Sequence, residues 1–150
     1  MKKMNIAIIG AGFGGLSTAK ILKTFGYQVT IFDKEADVGG VWSASRRYPG
    51  LTTQNVKSTY CLSDFPYPDH YPEWPTGEQV QQYLESYAQH FNLMPDLKLN
   101  TEVTSADLDE AKNIWTVVTR NVKTNQVETN NFDYLVVCNG IFSRPMIPDY

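Results

Sequence analysis

Gly10-Ala11-Gly12-Phe13-Gly14-Gly15 follows an apolar stretch, Asn5 to Ile9, and opens a segment with helical spacing that begins near Phe13. Strand, glycine-rich turn and helix, in that order, make a phosphate-binding turn. Gly10 permits the tight turn out of the strand, Gly12 lets the backbone approach a pyrophosphate, and Gly15 lets the helix pack closely on the strand. Phosphates placed there meet free backbone N–H groups and the positive end of the helix dipole.

Working outward, the helix is carried by Leu16, Ala19, Leu22 and Phe25 at three-residue spacing, with Lys20 and Lys23 towards its end and Gly26 as its stop. A second strand, Gln28 to Phe32, leads to Asp33, about 20 residues past the glycines. That acid suits a ribose diol and repels a 2′-phosphate, so the unit reads as a βαβ site for FAD or NAD rather than NADP.

Length and composition fit one ordered domain. The 150 residues are 42% hydrophobic and 19% charged, an ordinary globular balance, and a formal charge of −3 gives no basic footprint for nucleic acid. Cys61 and Cys138 follow no metal-ligand spacing and read as two reduced thiols, which points to a cytosolic, cytoplasmic chain without a metal site. The N-terminal apolar run is cut by glycines and lacks a small-residue cleavage site, and no run reaches the ~20 residues that span a bilayer.

Gly39-Gly40-Val41-Trp42 follows the second strand, permitting a close backbone pass and an aromatic wall for a flat ligand. From residue 43 to 75 no period of 2 or 3.6 is sustained, yet aromatics abound, so this stretch reads as an ordered wrap around a ligand. Thr76 and Gln79 then form a capping box for a helix whose apolar face is Val80, Tyr83, Leu84, Tyr87, Ala88 and Phe91. His90 falls on its solvated end.

Leu97 to Asn100, Glu102 to Leu108 and Ile114 to Val122 read as a small antiparallel β-meander. Phe132 to Cys138 is a near-continuous apolar run, the pattern of a parallel strand buried on both faces, with Asn139 and Gly140 at the carboxyl edge where nucleotides bind. The fold class is therefore α/β, a Rossmann-like parallel sheet with a βαβ unit and an added meander.

Taken together, these residues resemble the flavin-containing monooxygenases and their Baeyer–Villiger relatives. The carriers are the glycine turn, Asp33, Gly39-Gly40-Val41-Trp42, Asp64-Phe65-Pro66-Tyr67-Pro68, Trp115-Thr116-Val117 and Cys138-Asn139-Gly140, followed by Pro145 and Pro148. The resemblance implies FAD in this first site. Its ADP half would lie on Gly10, Ala11, Gly12, Phe13, Gly14 and Gly15 with Asp33 and Lys34. Gly40, Val41 and Trp42 would line the flavin and ribityl chain, and the backbone of Val103 would meet the adenine. Gln54 and Asn55 would lie near the reactive edge of the isoalloxazine. The family usually has Asn where Gln54 stands, and a one-residue slip puts Asn55 there instead.

The implied chemistry is hydride transfer from NADPH to flavin, attack of reduced flavin on O2, and oxygenation of an amine, a sulfide or a ketone by a C4a-hydroperoxyflavin. The cofactor carries that chemistry, so no particular catalytic side chain is assigned. A second GxGxxG, for NADPH, is absent from the 150 residues. Relative to the family's two-dinucleotide architecture the chain is expected to be the N-terminal portion of an FAD-binding domain. Such a portion is expected to be inactive alone, and to be completed by the missing C-terminal part or by self-association. Two alternatives stand beside this reading: another FAD- or NAD-dependent oxidoreductase, and a non-catalytic nucleotide-binding module. No redox cysteine pair follows the Gly-Gly element and no Tyr-x-x-x-Lys pair exists, which removes the disulfide reductases and short-chain dehydrogenases.

Overall fold

The computed structural model describes residues 3–142 and 146–149. Pro145, one carrier of the resemblance, lies outside them. The chain runs β1 (Asn5–Ile9), α1 (Phe13–Thr24), β2 (Gln28–Phe32), α2 (Gly77–His90), β3 (Leu97–Lys98), β4 (Thr101–Asp109), β5 (Ile114–Asn121), β6 (Val127–Phe132) and β7 (Tyr134–Val137). A parallel sheet has the order β3-β2-β1-β7, and an antiparallel sheet the order β4-β5-β6.

The two faces of β1 separate two cores, because side chains alternate across a strand. Ile6 and Ile8, with Val29 and Ile31 of β2, pack towards the helices on Leu16, Ala19, Val80, Tyr83, Leu84 and Tyr87. Ala7 and Phe32 face the other way and pack on Val117 and Phe132 of the meander. Helices, parallel sheet and antiparallel sheet therefore form three layers.

α1 ends as the sequence predicts. Gly26 adopts φ +83, its N–H donates to the Lys23 carbonyl and the Tyr27 N–H to the Leu22 carbonyl, a Schellman closure. Phe25 departs from the expected apolar face. As the residue after the last helical turn it points away from the sheet and is 74% exposed. α2 begins with the expected capping box, Thr76 accepting from Gln79 N–H and Gln79 reaching back to Thr76 N–H. Its expected face is buried, apart from Phe91 at the cap, and His90 is exposed.

The wrap over 43–75 is ordered and is pinned to α2. The Tyr83 hydroxyl donates to the Phe65 carbonyl at 2.5 Å and accepts from Leu62 N–H at 2.8 Å. Tyr67 stacks on Tyr83 with ring centroids 3.9 Å apart. The Lys57 ammonium donates to the carbonyls of Pro68, Asp69 and Tyr71, which closes the loop between them.

Three strand expectations need correction. Leu97–Lys98 pairs in parallel with β2, so it belongs to the first sheet and not to the meander. The meander's third strand is Val127–Phe132, a polar stretch that enters the sheet through its register with β5. Phe132 therefore ends β6, and the last parallel strand is only Tyr134–Val137. That strand is an edge paired to β1 alone, with Tyr134 55% and Val137 62% exposed, so it is not buried on both faces among the described residues.

Candidate functional site

β1, β2 and β7 run in parallel, so their carboxyl ends open on the same side, where a cleft of about 480 Å³ lies between the glycine turn, the turn after β2 and the start of β4. This is the crevice at which open α/β sheets bind ligands. Gly10, Gly12, Phe13 and Gly14 line one wall, with Gly140 after β7. Asp33 and Lys34 line it too, with Val103 of β4, as do Gly40, Val41 and Trp42, Gly40 lying against Gly12. Ala11 and Gly15 are buried behind this surface.

The glycines have separable causes. A Cβ on Gly10 would lie 2.3 Å from the Cys138 carbonyl oxygen, and one on Gly15 would lie 1.7 Å from the carbonyl oxygen of Gly10. Those two are demanded by the fold itself. Gly12 is not: its φ of −91 suits any residue, and a Cβ there would meet Gly40 Cα at 3.6 Å, an ordinary contact. Its missing side chain leaves open a cradle at the start of α1, a helix with no side-chain cap and no acid in its first turn. Free N–H groups and the helix dipole at such a start attract an anion. The residues present fit the diphosphate of a dinucleotide.

Asp33 holds this end together. Its Oδ2 accepts from Ala11 N–H at 2.7 Å and its Oδ1 from Glu35 N–H at 2.9 Å. A carboxylate can accept about four hydrogen bonds, so both oxygens keep capacity for a ribose diol. Gly39 N–H donates to the Ala11 carbonyl at 3.0 Å, joining the two glycine elements across the cleft floor.

The structure adds residues that the sequence left unassigned. Tyr60 lines the cleft and packs edge-on against both Trp42 and Phe13, at centroid distances of 5.8 and 5.1 Å. Arg46 lines it too, and its Nη2 donates to the Phe142 carbonyl at 2.6 Å, bridging the segments after β2 and β7. Both come from the wrap, which has no periodicity to mark which residues turn inward. Glu35 and Cys138 sit directly beside Lys34 and Asn139, so position after a parallel strand was their signal. Burial pushes the Cys138 thiol up, against a hydrogen bond from Thr18, and so favours the neutral thiol. Gln54 and Asn55 are exposed and do not line this cleft. Among the described residues no group of His, Cys, Asp and Glu could hold a metal ion, and no helix is long and apolar enough to cross a membrane.

A parallel sheet with a glycine-rich turn opening into its first helix, and an acid closing its second strand, defines a Rossmann-like dinucleotide-binding fold. Residues 2–150 match the model of the family described as flavin-binding monooxygenase-like, and the chain belongs to that family. It is 31% identical to flavin-containing monooxygenase 1 of Homo sapiens over 154 aligned residues, which cover 95% of this chain and 29% of that protein. S-allyl-L-cysteine S-oxygenase from Allium sativum superposes with a TM-score of 0.86 at 28% identity, over 98% of this chain and 38% of that one. Cyclohexanone monooxygenase from Rhodococcus sp. Phi1, bound to NADP+, gives a TM-score of 0.83 at 32% identity, over 97% of this chain and 27% of that one. The chain thus spans less than a third of the length of the curated relative.

Proposed function

We propose that these residues are the FAD-binding part of a flavoprotein monooxygenase that uses NADPH and O2 to oxygenate a soft nucleophile or a ketone. The observation that carries this reading is the cradle at Gly12, beside a helix start without a side-chain cap and within reach of Asp33. Gly12, Phe13 and Gly14 would hold the diphosphate through backbone N–H groups. Asp33 would accept from the adenosine ribose and Val103 would meet the adenine through its backbone. Trp42, with Val41 and Gly40, would wall the flavin end, keeping a flat ring in place and water away from one side of it.

When bound, the flavin supplies the electron and oxygen chemistry. Hydride supply from NADPH requires a second nucleotide site, for which this chain has no second glycine-rich turn. We therefore assign cofactor binding to this unit and the full cycle, in the cytoplasm and on a small-molecule substrate, to the longer protein that its relatives exemplify.

The test is the visible absorption spectrum of the purified chain after addition of FAD and desalting, with NAD in a parallel sample whose retained nucleotide is released by denaturation and read by its ultraviolet absorbance. Retained flavin absorbance is the expected result. Preferential retention of NAD, with none of FAD, would overturn the flavoprotein reading. NADPH-dependent oxygen consumption by the chain alone would overturn the assignment of the full cycle to a longer protein.

A further inference from the structure

We propose that Thr104 is a positioning residue for the adenylate end of the cleft, acting through a one-residue bulge in β4. On β5, Trp115, Val117 and Thr119 recur at the regular spacing of two. Opposite them stand Leu108, Ala106 and Val103, spaced by two and then by three. Thr104 is the residue in excess: Val103 pairs with Thr119 and Ser105 with Val118, and the register shifts between them. The Thr104 hydroxyl donates to the Val118 carbonyl at 3.3 Å, which holds the extra residue against β5.

An extra residue bends its strand and increases the local twist, and such bulges serve to re-aim what lies on one side of them. Here the two sides differ in task. Thr101, Glu102 and Val103, before the bulge, line the cleft, whereas no residue of β4 after it does. The same end of β4 is fastened to the acid-bearing turn: Asn100 N–H donates to the Glu35 carbonyl and Thr101 N–H to the Asp33 carbonyl, both at 2.8 Å. β4 pairs with β5 on both sides of the bulge, and its start is fastened in addition to the backbone of residues 33–35. The bulge lies between this doubly held start and the part of β4 that has no such bonds to residues 33–35. It sets the height at which the Val103 backbone faces the cleft.

This inference rests on the FAD reading above, which places the adenylate at this end. Deletion of Thr104 is the direct test, because a regular ladder can keep all the other β4–β5 pairs while the bend is removed. The probe is ADP, titrated calorimetrically against wild type, the Thr104 deletion, Thr104→Val and a deletion of Thr124 in the distant β5–β6 turn. Thermal unfolding is followed for each. ADP affinity is expected to fall by about tenfold on deletion of Thr104, the order of one lost hydrogen bond to the nucleotide, and by about threefold in Thr104→Val. Deletion of Thr124 is expected to lower the melting temperature without changing ADP affinity. Wild-type ADP affinity in Thr104→Val, or in a folded Thr104 deletion, overturns the proposal. So does an equal loss in the Thr124 deletion, which would make the effect merely one of stability. Should the Thr104 deletion not fold, Thr104→Val decides alone. A wild-type chain that takes up neither ADP nor FAD overturns the FAD reading and this inference with it, whereas ADP uptake that is insensitive to Thr104 overturns only this one.

Discussion

Gly12 and Gly40, from the two glycine elements, meet backbone to backbone: a Cβ on Gly12 would lie 3.6 Å from Gly40 Cα, and one on Gly40 would lie 3.4 Å from Gly12 Cα. Only the second glycine has a conformational reason to be there, with φ at +60. The contrast gives a clean prediction. Gly12→Val should still fold, with a melting temperature lowered only by its poorer helix N-cap, and retain no flavin after desalting. Gly15→Ala should instead destabilise the fold by about 3 kcal/mol or more, because its Cβ would overlap a carbonyl oxygen of the turn. Flavin retention by Gly12→Val would show that the cradle serves no diphosphate.

Asp33 carries two duties, and a single substitution separates them. Asp33→Ala removes acceptors for Ala11 and Glu35 N–H groups and should lower the stability of the free chain by about 1 to 3 kcal/mol in denaturant unfolding. FAD affinity should fall by a further comparable amount through the lost ribose bonds. Unchanged affinity in the folded variant would dissociate Asp33 from the ribose.

α2 should be sensitive at its first residue. Thr76→Ala removes the side-chain acceptor for Gln79 N–H, leaving the Gln79 bond to the backbone N–H of residue 76, and is expected to cost about 1 kcal/mol. Since Tyr83 on this helix holds the Leu62 and Phe65 backbone, the loss should appear as faster hydrogen exchange at Leu62 as well as a lower unfolding midpoint.

At alkaline pH the tyrosines of α2 set the limit. Burial pushes the Tyr83 and Tyr87 phenols up to about 12 from an ordinary 10.0, and Tyr67 is raised by the same cause. The folded state favours the neutral phenol. Its contribution is therefore complete below pH 10 and is lost as pH rises through about 12. Phenolate absorbance from these three should appear together with loss of far-ultraviolet circular dichroism. Early phenolate signal from all nine tyrosines, with the fold intact, would contradict the packing described for this cluster.

The acid limb has the opposite sign. The hydrogen bond from Lys20 holds the Asp64 carboxyl below its usual 3.8. The stabilisation it gives is present above that value and fades as pH falls through the lower folded value. Lys20→Met should flatten this limb of a stability-against-pH curve and leave the neutral plateau nearly unchanged, as expected for an ion pair near the surface.

The parts of the fold written in short-range chemistry were legible. β1, the glycine turn and α1 follow from an apolar run, a set of glycines and a three-residue repeat, and α2 from Thr76, Gln79 and one apolar stripe. What escaped depends on partners far along the chain. Leu97–Lys98 looks like any short strand, and only its pairing with Ile31 and Phe32 assigns it to the parallel sheet. Val127-Glu128-Thr129-Asn130-Asn131 shows no alternation because nearly every residue of β6 is exposed, its place being set by hydrogen bonds to β5. In the site, the glycines, Asp33 and Trp42 announce themselves by type and spacing. Arg46 and Tyr60 do not, since an irregular wrap carries no pattern that says which side chain turns towards the cleft.

β7 pairs with β1 although 128 positions separate Asn5 from Asp133, whose carboxylate receives the Asn5 N–H. A chain emerging from the ribosome has both helices, β1 and β2 available well before this seam can close. Until then one flank of β1, with Ile6 and Ile8 beside it, is open to other nascent chains, the exposure that invites mispairing during synthesis. Contacts so distant along the chain also slow the search for the native state. The seam beside the nucleotide crevice is thus the pairing in this sheet that waits longest for its partner strand.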